Sequence, residues 1–170
     1  MGDKGVIVRF EKPENIPIIR QITKAAFAPL EYSSQTEAEI IDALREAGAL
    51  TVSLVALLEG VVVGHVAFSP VKIDGRDMAW FGLGPIAVRP DCQKNGIGEK
   101  LVRDGLSRLV HLGAKGCVVQ GNPQYYRRFG FENDVALIYE GPPAEYFMRL
   151  VFSGQAPSGQ VNFHKGFSAT

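Results

Sequence analysis

The chain has 170 residues, 46% of them apolar and 21% charged, which suits one compact domain with a sizeable core. Its 18 basic and 18 acidic side chains cancel. With no basic excess, binding to nucleic acid or to an anionic membrane surface is not expected, and any anion site has to be built locally.

Residues 1–10 lack the charged and apolar regions of a signal peptide. The apolar stretch 50–71 is broken by Glu59, Gly60, Gly64 and His65, too often for a membrane span. Cys92 and Cys117 follow no metal-binding spacing and read as small buried thiols, which places the chain in a reducing cytoplasm.

Residues 6–10 read as a short first strand. After Pro13, Ile19, Ile22 and Ala26 recur at helical spacing and predict a helix that ends before Pro29. Ser34 and Glu37 have the spacing of a capping box, and Ala38, Ile41, Leu44 and Ala47 behind them predict a second helix closed by Gly48. Residues 50–58 and 61–71 are β-branched and apolar, joined at Glu59-Gly60 by a hairpin turn; Asp74-Gly75 leads into a third strand over 78–88. These three strands form a meander.

Over 96–112, Ile97, Leu101, Leu106, Leu109 and Val110 take one side of a helix while Lys100, Arg103, Ser107 and His111 take the other. Gly113 ends it. Residues 117–120 then read as a buried strand parallel to the one before the helix, completing a βαβ unit. Asn122-Pro123 caps and opens a short helix over 124–129 that stops at Gly130, and a further strand is expected from Phe131. Beyond Gly141-Pro142-Pro143 lie an apolar run, 147–152, and a Gly/Ser-rich stretch, 153–159. In the tail, Val161, Phe163 and Phe167 alternate with polar residues as in a docked strand. With no internal repeat, the expectation is one domain over 1–170 with the tail 153–170 packed back on it.

The informative segment is the strand, loop and helix from Gly84 to Gly98. Such a join gathers unpaired backbone N–H groups at the positive end of a helix dipole, and these hold a phosphate without side-chain charge. Gly96 and Gly98 allow close approach. No Gly-x-x-x-x-Gly-Lys-Ser/Thr is present, nor a full Gly-x-Gly-x-x-Gly, and three antiparallel strands precede the loop, so neither a P-loop nor a Rossmann unit fits.

Gln93-Lys94-Asn95-Gly96-Ile97-Gly98 at the head of a helix, then a strand, then Tyr126-Arg127-Arg128-Phe129-Gly130-Phe131, resembles the Gcn5-related N-acetyltransferase (GNAT) family and its Gln/Arg-x-x-Gly-x-Gly/Ala hallmark. Within the family the chain is most similar to the bacterial YhbS-like subgroup, including the tail 161–167. The resemblance implies an α/β acyl-CoA N-acyltransferase fold, a mixed and mainly antiparallel sheet whose two central parallel strands splay apart. It implies acetyl-CoA as cosubstrate, no metal, and a small-molecule amine or peptide as acceptor. Dimerisation is common on this fold, and nothing in these residues decides it.

In this family pattern the backbone of Ile86, Ala87 and Val88 pairs with the pantetheine arm as a neighbouring strand would. The N–H groups of Gln93, Lys94, Asn95, Gly96, Ile97, Gly98 and Glu99 surround the pyrophosphate. Lys94, Lys100 and Arg103 are near enough in sequence to reach the ribose phosphate, or are solvated charges. Tyr126 stands where similar proteins carry an acidic tyrosine, and a phenol is a competent proton donor to a leaving thiolate; Tyr125 is the substitute one residue away. Asn122 reads as a helix cap. The strand 78–83 contains no carboxylate. His65, Glu31 and Glu37 remain as candidates for the base that takes the amine proton, and none is assigned. The reading from a different class is an acyl-CoA-binding sensor without turnover.

Overall fold

The computed structural model describes residues 5–170. Two tight turns set the frame of its sheet. Glu59 and Gly60 have φ of 52° and 79°, and Asp74 and Gly75 have 51° and 76°. Positive φ at both central residues is the type I′ geometry, whose twist matches that of paired strands. The turns link β2 (Val52–Leu58), β3 (Val61–Ile73) and β4 (Arg76–Val88) into the expected meander.

β1 (Val6–Phe10) adds antiparallel to β2 at one edge. After α3 (Ile97–His111) the chain returns as β5 (Gly116–Gln120), which pairs parallel with β4 and antiparallel with β7 (Phe147–Val151). The main order is β1-β2-β3-β4-β5-β7. This is an open α/β sheet in which β4 and β5 are the parallel pair.

Side chains of a strand alternate between its two faces. Leu54, Ala56, Val66 and Phe68 pack with Leu101, Val102 and Leu109 of α3, whereas Val55 and Ala87 pack with Ile19 and Ile22 of α1 (Ile16–Phe27) and Ile41 of α2 (Glu37–Glu46). The helices therefore cover opposite faces. Gly105 lets α3 lie close, since a Cβ there would collide with the Phe68 ring.

The start of α2 differs from the capping box expected at Ser34. Thr36 precedes the helix without a side-chain cap, Ser33 Oγ donates to Glu37 Oε2 at 2.7 Å, and Ser34 Oγ pairs with Thr36 Oγ1 at 2.6 Å. Both partners of the expected box are thus engaged within the loop. Gln35 holds that loop, with φ of 63° and Nε2 donating to the Phe27 carbonyl at 2.8 Å.

A continuous strand from Phe131 does not form. Glu132 makes only an isolated bridge to Arg149, because Asn133 Nδ2 then reaches across to the carbonyls of Glu145 and Phe147 and turns the chain. The strand appears later as β6 (Leu137–Ile138), parallel to β8 (Gly159–Phe163) in the tail. β8 also pairs antiparallel with Val71, Lys72 and Ile73 at the end of β3. Its Val161 is fully buried, and the Phe163 ring occupies the space over Gly82, where an added Cβ would lie 2.6 Å from it.

Candidate active site

The site begins where β4 leaves β5. Val66 pairs with Ile86 and Phe68 with Leu83, so Gly84 and Pro85 together stand opposite Ala67 alone. An extra residue on one strand bends that strand away from its partner. Parallel pairing with β5 stops at Leu83 and Val119, and, among the described residues, positions 84–88 keep β3 on one edge with no strand on the other. This fork is the splay expected between the central strands.

Alternation decides which backbone groups face the fork. Arg89 N donates to Val63 O at 2.8 Å, so residue 89 points at β3, and in an antiparallel ladder residue 87 does the same while 86 and 88 point away. Of the three residues expected to line the acyl arm, Ile86 and Val88 present their amides and carbonyls to the fork. Ala87 turns its own toward His65 on β3. The Val88 carbonyl already accepts from Gln93 Nε2 at 3.0 Å.

That bond draws the loop back onto the strand. Asn95 Nδ2 donates to Cys92 O at 3.3 Å, and Lys94 and Gly96 take left-handed φ of 66° and 79°. Gln93 N makes a long 3.5 Å contact to Pro90 O, and the first helical bond of α3 is Lys100 N to Gly96 O. The N–H groups of residues 94–99 between them donate to no acceptor among the described residues. Six consecutive free donors at a helix N-terminus form a concave anion cradle. Nothing lies within 4 Å of a Cβ built on Gly96.

Two cavities meet at this loop. One, of about 420 Å³, runs between Val88, Gln93, Gly96, Gly98 and Tyr125. The other, of about 820 Å³, follows the outer side of α3 past Lys94, Lys100, Arg103 and Ser107. Ile97 is the exception in the loop, with its side chain in the core.

Tyr125 lines the smaller cavity, and Tyr126 stands behind it in the core. Asn122 Oδ1 accepts from Gln124 N at 2.9 Å and caps the short α4 (Pro123–Tyr126), which delivers the Tyr126 ring against Gly121 and between Tyr125 and Phe131. Among the described residues its hydroxyl has no hydrogen-bond partner, yet the fully enclosed side-chain atoms that lack one there are His65 Nδ1 and Ser69 Oγ. The Tyr126 oxygen is therefore the accessible part of a buried ring. Burial pushes the phenol pKa upward, and it stays protonated at neutral pH.

Residues 50–133 match the model of the acetyltransferase (GNAT) domain. The protein YhbS of Escherichia coli K12, an uncharacterized N-acetyltransferase, is 34% identical over 96% of this chain and 99% of its own length. A GNAT-family acetyltransferase from Brucella melitensis, solved in complex with acetyl-CoA, is 49% identical with a TM-score of 0.86, covering 95% of this chain and 97% of that one. E. coli YhbS solved with CoA gives 33% identity and a TM-score of 0.87, covering 96% of this chain and 92% of that one. The chain belongs to the GNAT acetyltransferase family. It is an acyltransferase of the acetyl-CoA-dependent class, as the loop and fork residues imply.

This GNAT chain carries a buried polar network that the sequence does not announce. Ser53 Oγ donates to Glu11 Oε1 at 2.5 Å and lies 2.8 Å from His65 Nε2. With the hydroxyl proton given to Glu11, Nε2 must donate to Ser53, and Nδ1 is the bare nitrogen. Arg45 holds Glu11 through Nε and Nη2 at 2.8 and 2.9 Å and continues to Asp42, Arg20 and Glu39. Desolvation lowers the His65 pKa from 6.5 to about 4. His65 of β3 is neutral and tied to β2 through Ser53, while Glu11 carries the network on to Arg45 of α2, and the His65 Nδ1 is enclosed. Glu37 is engaged by Ser33, and Glu31 is exposed in the α1–α2 loop.

Among the described residues no helix is long and apolar enough to cross a membrane.

Proposed function

We propose that this protein transfers the acetyl group of acetyl-CoA to a primary amine of a small molecule or peptide, by direct attack in a ternary complex. The observation that carries the reading is the free N–H run 94–99 opening onto an unpaired β4 edge. A pyrophosphate suits the donors, and an extended amide-bearing arm suits the edge, pairing with Ile86 and Val88 as an added strand would. The acetyl-CoA complex of the Brucella relative supports the same ligand.

The residues then divide the work. An N–H at the fork, from Ile86 or Val88, polarises the thioester carbonyl as its oxygen gains charge. The amine nitrogen forms a bond to that carbon, the carbon–sulfur bond breaks, and Tyr126 gives its phenolic proton to the departing sulfur. The ammonium proton leaves to solvent, which also restores the phenol. A neutral phenol is the right species for this step, and burial keeps Tyr126 from ionising.

One observation favours a second reading, an acyl-CoA-binding module without turnover: no carboxylate lies on β4 between 78 and 83, and His65 Nδ1 is sealed. Initial rates measured while acetyl-CoA and an amine are varied together test the proposal. Intersecting double-reciprocal lines are expected. Parallel lines would indicate a covalent acyl-enzyme and overturn direct attack.

A further inference from the structure

Within the proposed phosphate site stands a carboxylate whose charge opposes the ligand. Glu99, on the first turn of α3, lines both cavities. Its Oε2 accepts from Arg103 Nε at 3.0 Å and its Oε1 from Arg128 Nη1 at 3.3 Å. Arg103 belongs to the cavity along α3 and Arg128 to the one at the fork, so a single carboxylate ties one guanidinium from each. Both arginines are also held by other contacts. Arg103 lies over the Phe129 ring at 5.0 Å, while Arg128 lies over Tyr125 at 4.4 Å and donates Nε to the Tyr125 carbonyl at 2.9 Å. Released from Glu99, they would stay at the cavity walls.

The local charges make Glu99 distinctive. Asp104 is paired with Arg108 at 2.9 Å and Asp91 with Arg89 at 2.6 Å, each matched by its own cation. Lys94, Lys100, Arg103 and Arg128 then face the cavities against Glu99 alone. The free N–H groups and helix dipole beside it favour that carboxylate in the absence of a ligand, for the same reason that they favour a phosphate.

We propose that Glu99 is a resident counter-ion which the phosphates of coenzyme A displace from Arg103 and Arg128, and that it weakens the grip of the site on every form of the coenzyme. The proposal rests on the acetyl-CoA reading above. Because acetyl-CoA and free CoA carry the same phosphates, the repulsion acts equally on substrate and product and hastens release of the spent coenzyme.

Titration calorimetry with CoA tests this on the wild type, Glu99→Gln, Arg128→Gln and the double variant. Glu99 is a surface residue, and glutamine keeps its shape, so the fold is retained and thermal melting verifies it. Glu99→Gln should tighten CoA binding by about fivefold to fiftyfold, the range for removing a like charge and freeing charge-assisted donors. The gain should shrink in the Arg128→Gln background and at high salt. Unchanged or weaker binding by Glu99→Gln overturns the proposal while leaving the acetyl-CoA reading intact. A folded wild type that binds no CoA overturns both.

Discussion

Replacing Tyr126 with phenylalanine removes one oxygen from a ring that is otherwise held on every side. Tyr125 and Phe131 pack edge-on at centroid distances of 5.0 and 5.9 Å, Phe129 lies at 6.2 Å, and Gly121 leaves just enough room for the ring. The hydroxyl has no hydrogen-bond partner to orphan among the described residues, so stability at neutral pH should change by no more than about 0.5 kcal/mol. Turnover should fall roughly 10- to 1000-fold, the range for a positioned acid, with little change in acetyl-CoA affinity. The pH dependence adds a second signature. Burial raises the phenol pKa above 10.0, so its contribution to stability is complete below pH 10 and is lost as the pH rises beyond it, where the unfolded chain ionises first. The phenylalanine variant should therefore lose less stability than the wild type above pH 10. Steady-state thiol release at several pH values and alkaline unfolding curves measure the two effects. Equal turnover at every pH would remove Tyr126 from the chemistry and pass the role to Tyr125 or water.

Gly96→Val places a β-branched side chain at φ of 79° and projects it into space free within 4 Å. The fold bears about 1–2 kcal/mol of strain, and CoA affinity should drop at least about tenfold; calorimetry of the folded variant returning the wild-type constant would take the loop out of the site. His65, with its pKa lowered to about 4, contributes stability that is complete above its unfolded value of 6.5 and is lost as the pH falls to 4, about 3 kcal/mol in all. In His65→Gln that acid loss should shrink, and superimposable pH profiles of urea unfolding for the two proteins would refute it. Cutting the chain after Ser158 removes buried Val161 and the ring over Gly82 and should lower stability by about 3 kcal/mol or more. The milder Phe163→Leu keeps the strand and removes only the ring over Gly82, so it should cost less than the truncation. A truncated protein that melts as the wild type does would show the tail to be irrelevant to stability.

The parts of this fold visible in the sequence are those where one local signal acts unopposed. Glu59-Gly60 and Asp74-Gly75 sit between β-branched runs, and no other contact competes with the turns they encode. α3 has an apolar face, although Val110 lies exposed rather than on it, and a left-handed glycine at each end, Gly96 and Gly113. The misreadings come from competition between partners that spacing cannot rank. Ser33 takes the Glu37 carboxylate that the Ser34 capping box requires, and Asn133 diverts the chain after Phe131 by reaching carbonyls 12 and 14 residues away. Glu11, Ser53 and His65 form one network although 42 residues separate the first two, and no local pattern marks such a set. In the candidate site, the loop motif marks the segment whose N–H groups stay free, but only the β3 register reveals that Ile86 and Val88, rather than Ala87, face the fork. Likewise, no spacing rule tells that the Gln93 side chain ties the loop to Val88 while the backbone after it stays free.

Acetyl transfer to an amine at the fork and the N–H cradle is the proposed activity. Its most direct test is to incubate the wild-type protein with acetyl-CoA and a panel of small primary amines and peptides, follow free thiol continuously, and analyse the acceptors by mass spectrometry. Amine-dependent thiol release through many turnovers is expected, matched mole for mole by an N-acetylated acceptor and largely abolished in Tyr126→Phe. Saturable acetyl-CoA binding with no thiol release above the uncatalysed rate for any amine or peptide would contradict it and establish the chain as a binding module.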